Sequence, residues 1–226
     1  MTNHTQSFEQ GFLFDLDGVI VDTAKFHFIA WRRMANEIGI DFNEEQNEQL
    51  KGVSRRESLL KIAEWGGKSL DENEIAKYMH LKNEWYLELI ETLTPADILP
   101  GADVFIKEAK AAGIGIALGS ASKNAVPILE RIGMLSLFDA IVDGTQVTKA
   151  KPDPEVFLLA AIQMGVNPKE CVVFEDAVAG IEAANNAGML SIGIGEEKVL
   201  SEAKFVFADF TEMDDNFLNR LLEQTP

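Results

Sequence analysis

One cysteine among 226 residues, Cys171, leaves no partner for an internal disulfide and no thiolate set for a zinc cage. That scarcity fits a reducing compartment, and the apolar run around Cys171 gives its thiol a plain packing role. Positive charge is also short. Lys and Arg number 20 against 37 Asp and Glu, and the net charge of −17 argues against nucleic acid or anionic membrane as partner, because both need a basic face. Long hydrophobic runs are missing, since none approaches the roughly 18 to 20 apolar residues of a bilayer span. The opening MTNHTQSFEQ carries no apolar signal core. A soluble, unexported, cytoplasmic protein is expected, and a monomeric one. Short internal repeats and low-complexity tracts are absent too.

What is present is a 46% hydrophobic composition and enough length for one large domain, or a domain carrying a smaller insert. Short apolar runs recur at 12–14, 114–118, 140–142, 171–174, 190–194 and 205–207, each with the look of a buried strand. Amphipathic stretches of helical length lie between the later ones, at 101–112, 123–133, 154–165 and 177–187, the last stopped by Gly188. Strand and helix alternating in this way predict an α/β fold, a Rossmann-like parallel sheet covered on both faces. Residues 24–94 break the rhythm with helical patterns at 23–38, 44–51, 55–66 and 72–93 and almost no strand signal. They predict an inserted α-helical cap domain on a core made of 1–23 and 95–226. Thr94, Pro95, Pro100 and Gly101 punctuate its return as a linker, and the insert is expected to work as a lid.

Open parallel sheets bind ligands beyond the carboxyl ends of their strands. Just past the apolar runs stand Asp15 and Asp17, then Ser120 with Ser122, Lys123 and Asn124, then Lys151, then Glu175 and Asp176. Each has a bland explanation: Asp176 could cap the helix from Ala177, Ser122 the one from Lys123, and Lys151 could be a solvated loop lysine. The coincidence argues otherwise. Four unshielded carboxylates at one rim would repel one another without a cation, and a hard divalent ion with oxygen ligands, Mg²⁺ beside a phosphate, is the economical answer. Asp15 would then stay ionised to attack phosphorus, leaving Asp17 for proton work. Lys151 and Ser120 would hold phosphoryl oxygens, helped by the amides that open the helix after Ser122.

At these residues the chain resembles the haloacid dehalogenase superfamily of phosphotransferases. The matching motifs are DLDG at 15–18, the Ser120 loop, Lys151 before Pro152, and the Glu175–Asp176 pair, and they run in order through the whole chain. The resemblance implies an aspartyl-phosphate intermediate on Asp15. It also implies a metal site of Asp15, Asp17 through its carbonyl, Glu175 and Asp176, with the Asp17 side chain as general acid and base.

The stretches DTAKFHFIAW at 22–31, LKGVSRRESL at 50–59, LKN at 81–83 and GSASKN at 119–124 further resemble the glucose-phosphate mutase branch of that superfamily. That likeness implies interconversion of β-glucose 1-phosphate and glucose 6-phosphate, small sugar phosphates being the only partners. It places Thr23, His27, Trp31 and Lys82 in the substrate site, with Thr23 helping to position Asp17. Lys51, Gly52, Val53, Ser54 and Arg55 join them from the lid loop. Ser122, Lys123 and Asn124 join Arg55 around the phosphate that is not being transferred.

The residues also allow other accounts. Gly52 is a good helix stop, and Ser54 with Glu57 has capping-box spacing, which leaves Lys51, Arg55 and Arg56 as cations without a structural explanation. Lys82 shares a stripe with Ile75, Met79, Tyr86 and Ile90 and could snorkel from it; His27 and Trp31 could simply pack. A sugar-phosphate phosphatase, a non-catalytic sugar-phosphate sensor and a dehalogenase compete with the mutase. Two departures from the superfamily pattern are Arg56, where an acidic residue is common, and Gly144, where a proline is common.

Overall fold

The computed structural model describes residues 8–51, 53–214 and 216–224. Six strands form one all-parallel sheet: β1 (Gly11–Phe14), β2 (Gly115–Gly119), β3 (Ala140–Val142), β4 (Cys171–Glu175), β5 (Leu190–Ile194) and β6 (Phe205–Phe207). Their order across the sheet is β3-β2-β1-β4-β5-β6. The chain therefore builds outward from β1 in one direction and returns to its other side at β4. That makes the carboxyl ends of β1 and β4 the switch point where a crevice opens. Phe14 sits in register with Phe174, so Asp15 and Glu175 follow as neighbours at that point.

The β1 sequence GFLF is buried throughout, and its alternation sends side chains to two cores. Phe12 and Phe14 join Phe105, Phe174 and Phe210 on one face, with the Phe14 and Phe174 rings stacked 4.6 Å apart. Each such ring contributes about 1.5–3 kcal/mol by burial. Leu13 and Val173 point the other way, into a core with Phe157, Ala160 and Met164 of α7 (Glu155–Met164) and Ala183 of α8 (Val178–Asn186). Phe105 belongs to α5 (Ala102–Ala111), and α6 (Ala125–Arg131) follows β2. A final helix, α9 (Phe217–Gln224), was not among those expected from the sequence; its Phe217 ring packs edge-on against Phe205 and Phe207.

The chain divides into two compact units, one made of the segments up to Asp22 and from Thr94 onward, the other of Thr23–Leu93. The second contains α1 (Ala24–Glu37), α2 (Glu44–Glu48), α3 (Arg55–Trp65) and α4 (Glu72–Ile90). Its core gathers Trp31, Met34, Phe42, Leu59, Ile62 and Ile75. Asn43 and Asp71 start α2 and α4 with reciprocal capping boxes to Gln46 and Glu74. Among the described residues no helix is long and apolar enough to cross a membrane. Cys171 is fully buried in β4, and burial, with Glu170 nearby, pushes its thiol up to about 12, which leaves it inert packing.

Candidate active site

The carboxylate of Asp15, 8% exposed, is held at both oxygens. Oδ1 accepts from Lys151 Nζ at 2.6 Å and Oδ2 from the Asp17 amide at 3.0 Å. Lys151 is buried, and its remaining protons go to Glu175 Oε1 at 2.5 Å and the Gly119 carbonyl at 3.0 Å, with Phe157 beneath the ammonium. Burial works to lower the Lys151 pKa, but Asp15 and Glu175 outweigh it and hold the ammonium above the ordinary lysine range. Burial pushes Glu175 up, against the pull of Lys151.

This geometry amends the repulsion argument drawn from the sequence. Two of the four carboxylates already share a counterion, Lys151, which is no solvated loop lysine. Glu175, expected among the metal ligands, has its other oxygen engaged as well, accepting the Ala177 amide at 2.9 Å. The N-cap of α8 is Ala177, not Asp176; it offers no side-chain cap, and its amide is the one that Glu175 accepts. Asp176 instead lies against Gly18, where a Cβ would overlap its carboxylate; Gly18 also has φ +82°, so the fourth residue of DLDG answers both constraints. Gly180 makes room for Glu175 in the same way.

Among the described residues no group of three or more His, Cys, Asp or Glu forms a ready cage for a metal ion. An oxygen-seeking ion still fits. Asp15 and Asp176 are few and hard donors, the kind of partial shell that is completed by water and phosphate.

Ser120, 1% exposed, follows β2 and donates its amide to the Val142 carbonyl, while its Oγ accepts from the Ser122 amide at 3.1 Å. Ser122 Oγ accepts in turn from the Asn124 amide at 3.2 Å. Asn124 is buried and Lys123 exposed, and α6 begins at Ala125, two residues later than periodicity predicts, because these serine turns occupy the opening residues. The Gly144 amide donates to the Ser122 carbonyl, and a Cβ on Gly144 would overlap the Ala121 oxygen. A proline here could not make that bond.

Within the helical unit, Lys82 is only 2% exposed. Far from snorkelling, its Nζ meets His27 Nδ1 at 3.0 Å and lies over the Trp31 and Tyr86 rings at 4.8 and 4.5 Å. Lysine has only donors, so Nδ1 accepts and the imidazole proton is assigned to Nε2. Burial first, then Lys82 and Arg55, holds His27 well below the usual histidine value. Its ring is expected to show no ionisation by NMR between pH 8 and 6. A folded pKa below the unfolded one, about 6.5, means that folding binds fewer protons. The contribution to stability is therefore intact above that value and declines as pH falls below it. Lys82→Ala should move the titration upward, and a wild-type midpoint near the ordinary value would contradict this cluster.

Thr23 is fully buried, and its carbonyl accepts from the Phe26 and His27 amides at the start of α1. Ser54 caps α3, accepting the Glu57 amide, while its hydroxyl donates to the Glu57 carboxylate at 2.8 Å. Val53 is half-buried, and Gly52 lies outside the described residues. The three lid-loop cations separate: Lys51 pairs with Glu48 at 3.0 Å, and Arg56 grips Glu72 with both terminal nitrogens, at 3.0 and 2.6 Å. Arg55, half-buried at the first turn of α3, is lowered from the ordinary arginine range by burial. Sequence reasoning missed the Gly119 carbonyl, for which no side-chain signal exists. Tyr86 was visible only as a member of the Lys82 stripe.

The chain is 43% identical over 214 residues to β-phosphoglucomutase of Bacillus subtilis, spanning 94% of this chain and 95% of that one. The crystal structure of β-phosphoglucomutase from Clostridium difficile superposes with a TM-score of 0.91 at 41% identity, over 95% of this chain and 97% of that one. A phosphorylated carbohydrates phosphatase of Thermotoga maritima is 33% identical over 84% of this chain and 89% of its own. The model of haloacid dehalogenase-like hydrolases matches residues 10–188, and the chain belongs to that family.

Proposed function

We propose that this chain is a β-phosphoglucomutase, an isomerase that interconverts β-D-glucose 1-phosphate and glucose 6-phosphate through phosphorylated Asp15 and β-glucose 1,6-bisphosphate. The observation that carries this is the 43% identity to the Bacillus mutase over 94% of the chain. That span includes the helical unit, whose half-buried Arg55 gives a second phosphate a partner that a plain phosphatase does not need.

In this reading an Asp15 oxygen attacks phosphorus in line, the bond from phosphorus to the sugar oxygen breaks, and the Asp17 carboxyl supplies that oxygen with a proton. In the other half-reaction Asp17 takes the proton of the 6-hydroxyl as that oxygen attacks the phosphoaspartate. The bisphosphate turns around in between. Lys151 and Ser120 bind phosphoryl oxygens, Arg55 holds the phosphate that is not transferred, and the helical unit acts as a lid that excludes water. Mg²⁺, held by Asp15, the Asp17 carbonyl and Asp176, would neutralise charge on the phosphoryl group, with Glu175, its oxygens taken by Lys151 and the Ala177 amide, supporting the site from behind Lys151. The setting proposed is a cytoplasmic monomer acting on soluble sugar phosphates.

A coupled assay tests this directly. With Mg²⁺ and a trace of bisphosphate, the β-anomer of glucose 1-phosphate should give steady glucose 6-phosphate, the α-anomer none, and EDTA should silence the reaction. Steady inorganic phosphate without glucose 6-phosphate would replace the mutase with a sugar-phosphate phosphatase. Arg55→Ala should cost mutase turnover about 10- to 100-fold, the worth of a charge-assisted hydrogen bond, and spare hydrolysis of a small aryl phosphate. Equal losses would remove the second phosphate site from the scheme.

A further inference from the structure

Lys151 stands in the irregular stretch between β3 and α7, where no ladder or helix fixes the backbone. Yet its ammonium must reach three acceptors at once, one just past β1 and one each at the ends of β2 and β4. The chain just before it is tied down by a residue just after it. Glu155, the first residue of α7, turns its carboxylate back: Oε2 accepts the Thr148 amide at 2.8 Å and the Lys149 amide at 2.7 Å, and Oε1 accepts the Thr148 hydroxyl at 3.0 Å. Only a carboxylate takes that many donors at one side-chain end. The Lys149 amide, opposed in part by burial, leads the interactions that hold Glu155 below the usual glutamate range.

Other ties complete the frame. Asp153 pairs with Lys149 Nζ at 3.1 Å, accepts the Glu155 amide, and donates its own amide to the Ala150 carbonyl. Asn186 of α8 donates to the Pro152 carbonyl at 3.1 Å from the far side.

We infer that Glu155 is a positioning residue for phosphoryl transfer: by gathering the Thr148 and Lys149 backbone onto the start of α7 it sets the Lys151 ammonium against Asp15. Lys151 loses much rotamer freedom in reaching its acceptors, and a backbone already fixed reduces that cost. The kinetic half of this inference rests on the phosphotransfer reading above; the structural half does not.

The test uses Glu155→Ala and Glu155→Gln in the full chain, with two readouts. In glucose 6-phosphate formation, Glu155→Ala should lower kcat about tenfold and leave KM within about twofold, as expected when a reacting group is held less accurately than an ångström. Glu155→Gln keeps an oxygen for the two amides and an NH₂ that can donate to the Thr148 hydroxyl, so it should retain most of kcat. Acylation by acetic anhydride, followed lysine by lysine by mass spectrometry, reports the position of Lys151 without reference to activity. Lys151 should react at least about fivefold faster in the alanine variant than in wild type, as its frame opens locally. It should react unchanged in the glutamine variant.

A fall in kcat without faster acylation overturns the inference, as does faster acylation with kcat intact, or no change in either. Should Glu155→Ala not fold, Glu155→Asp, one methylene too short to reach both amides, carries the same comparison. If the wild type makes no glucose 6-phosphate at all, the mutase reading fails, while the acylation rates still decide whether Glu155 holds Lys151.

Discussion

Asp15→Ala is expected to lose at least about four orders of magnitude in turnover, the scale seen when a nucleophile is removed and only binding remains. Glu175, which shares Lys151 with it, cannot substitute, being engaged by Lys151 and the Ala177 amide. The fold should survive, because Lys151 keeps two of its three acceptors, Glu175 and the Gly119 carbonyl, and so stays compensated. A melting temperature within a few degrees of wild type should accompany the loss. Acid quench of a single turnover with ³²P-labelled β-glucose 1,6-bisphosphate should trap label on wild-type Asp15 and none on the variant. Label elsewhere, or turnover in the variant above a hundredth of wild type, would remove Asp15 from its role.

The sheet was legible because its central strands are buried on both faces and, like the half-buried edge strand β6, read as unbroken apolar runs; all six lie within a residue of their expected limits. Helix limits were less so. The turn chemistry of Ser120 and Ser122 delays α6, and α9, amphipathic with Phe217 and Leu221 buried one turn apart, lies beyond the helices read from the sequence. Strand-end position pointed to Asp15, Ser120, Glu175 and Asp176, since residues that follow parallel strands share a rim; Lys151, well past the end of β3, reaches Asp15 and Glu175 with its long side chain.

What it could not find was the pairing among them. Lys151 and Asp15 are 136 residues apart, and nothing local says that a lysine, ahead of any metal, will separate two of the carboxylates. The helical unit shows the same limit. Spacing put Lys82 and Tyr86 on one stripe, while the contact of Lys82 with His27 crosses from α4 to α1. The lid-loop cations looked alike in sequence; Glu48 and Glu72 make Lys51 and Arg56 different from Arg55.

Lys151→Ala should be the most destabilising single change at this site, and the reason is electrostatic. It leaves Asp15 and Glu175, both buried, without the ammonium they share, and breaking a buried pair costs about 3–5 kcal/mol. For a chain of this size that is roughly 6 to 20 °C in melting temperature, to be measured in chelator so that no cation replaces the lysine. Adding Glu175→Gln to the alanine variant should recover more than half of the loss, because only one buried charge then lacks a partner. Turnover should behave differently. Loss of a preorganised donor to the phosphoryl group is expected to cost about 10²–10³ in kcat, and the second substitution restores none of it. A Lys151→Ala protein as stable as wild type would mean that the two carboxylates are not held by this lysine in solution. Recovery of turnover along with stability would mean that the lysine only keeps the pocket folded and takes no part in the transfer.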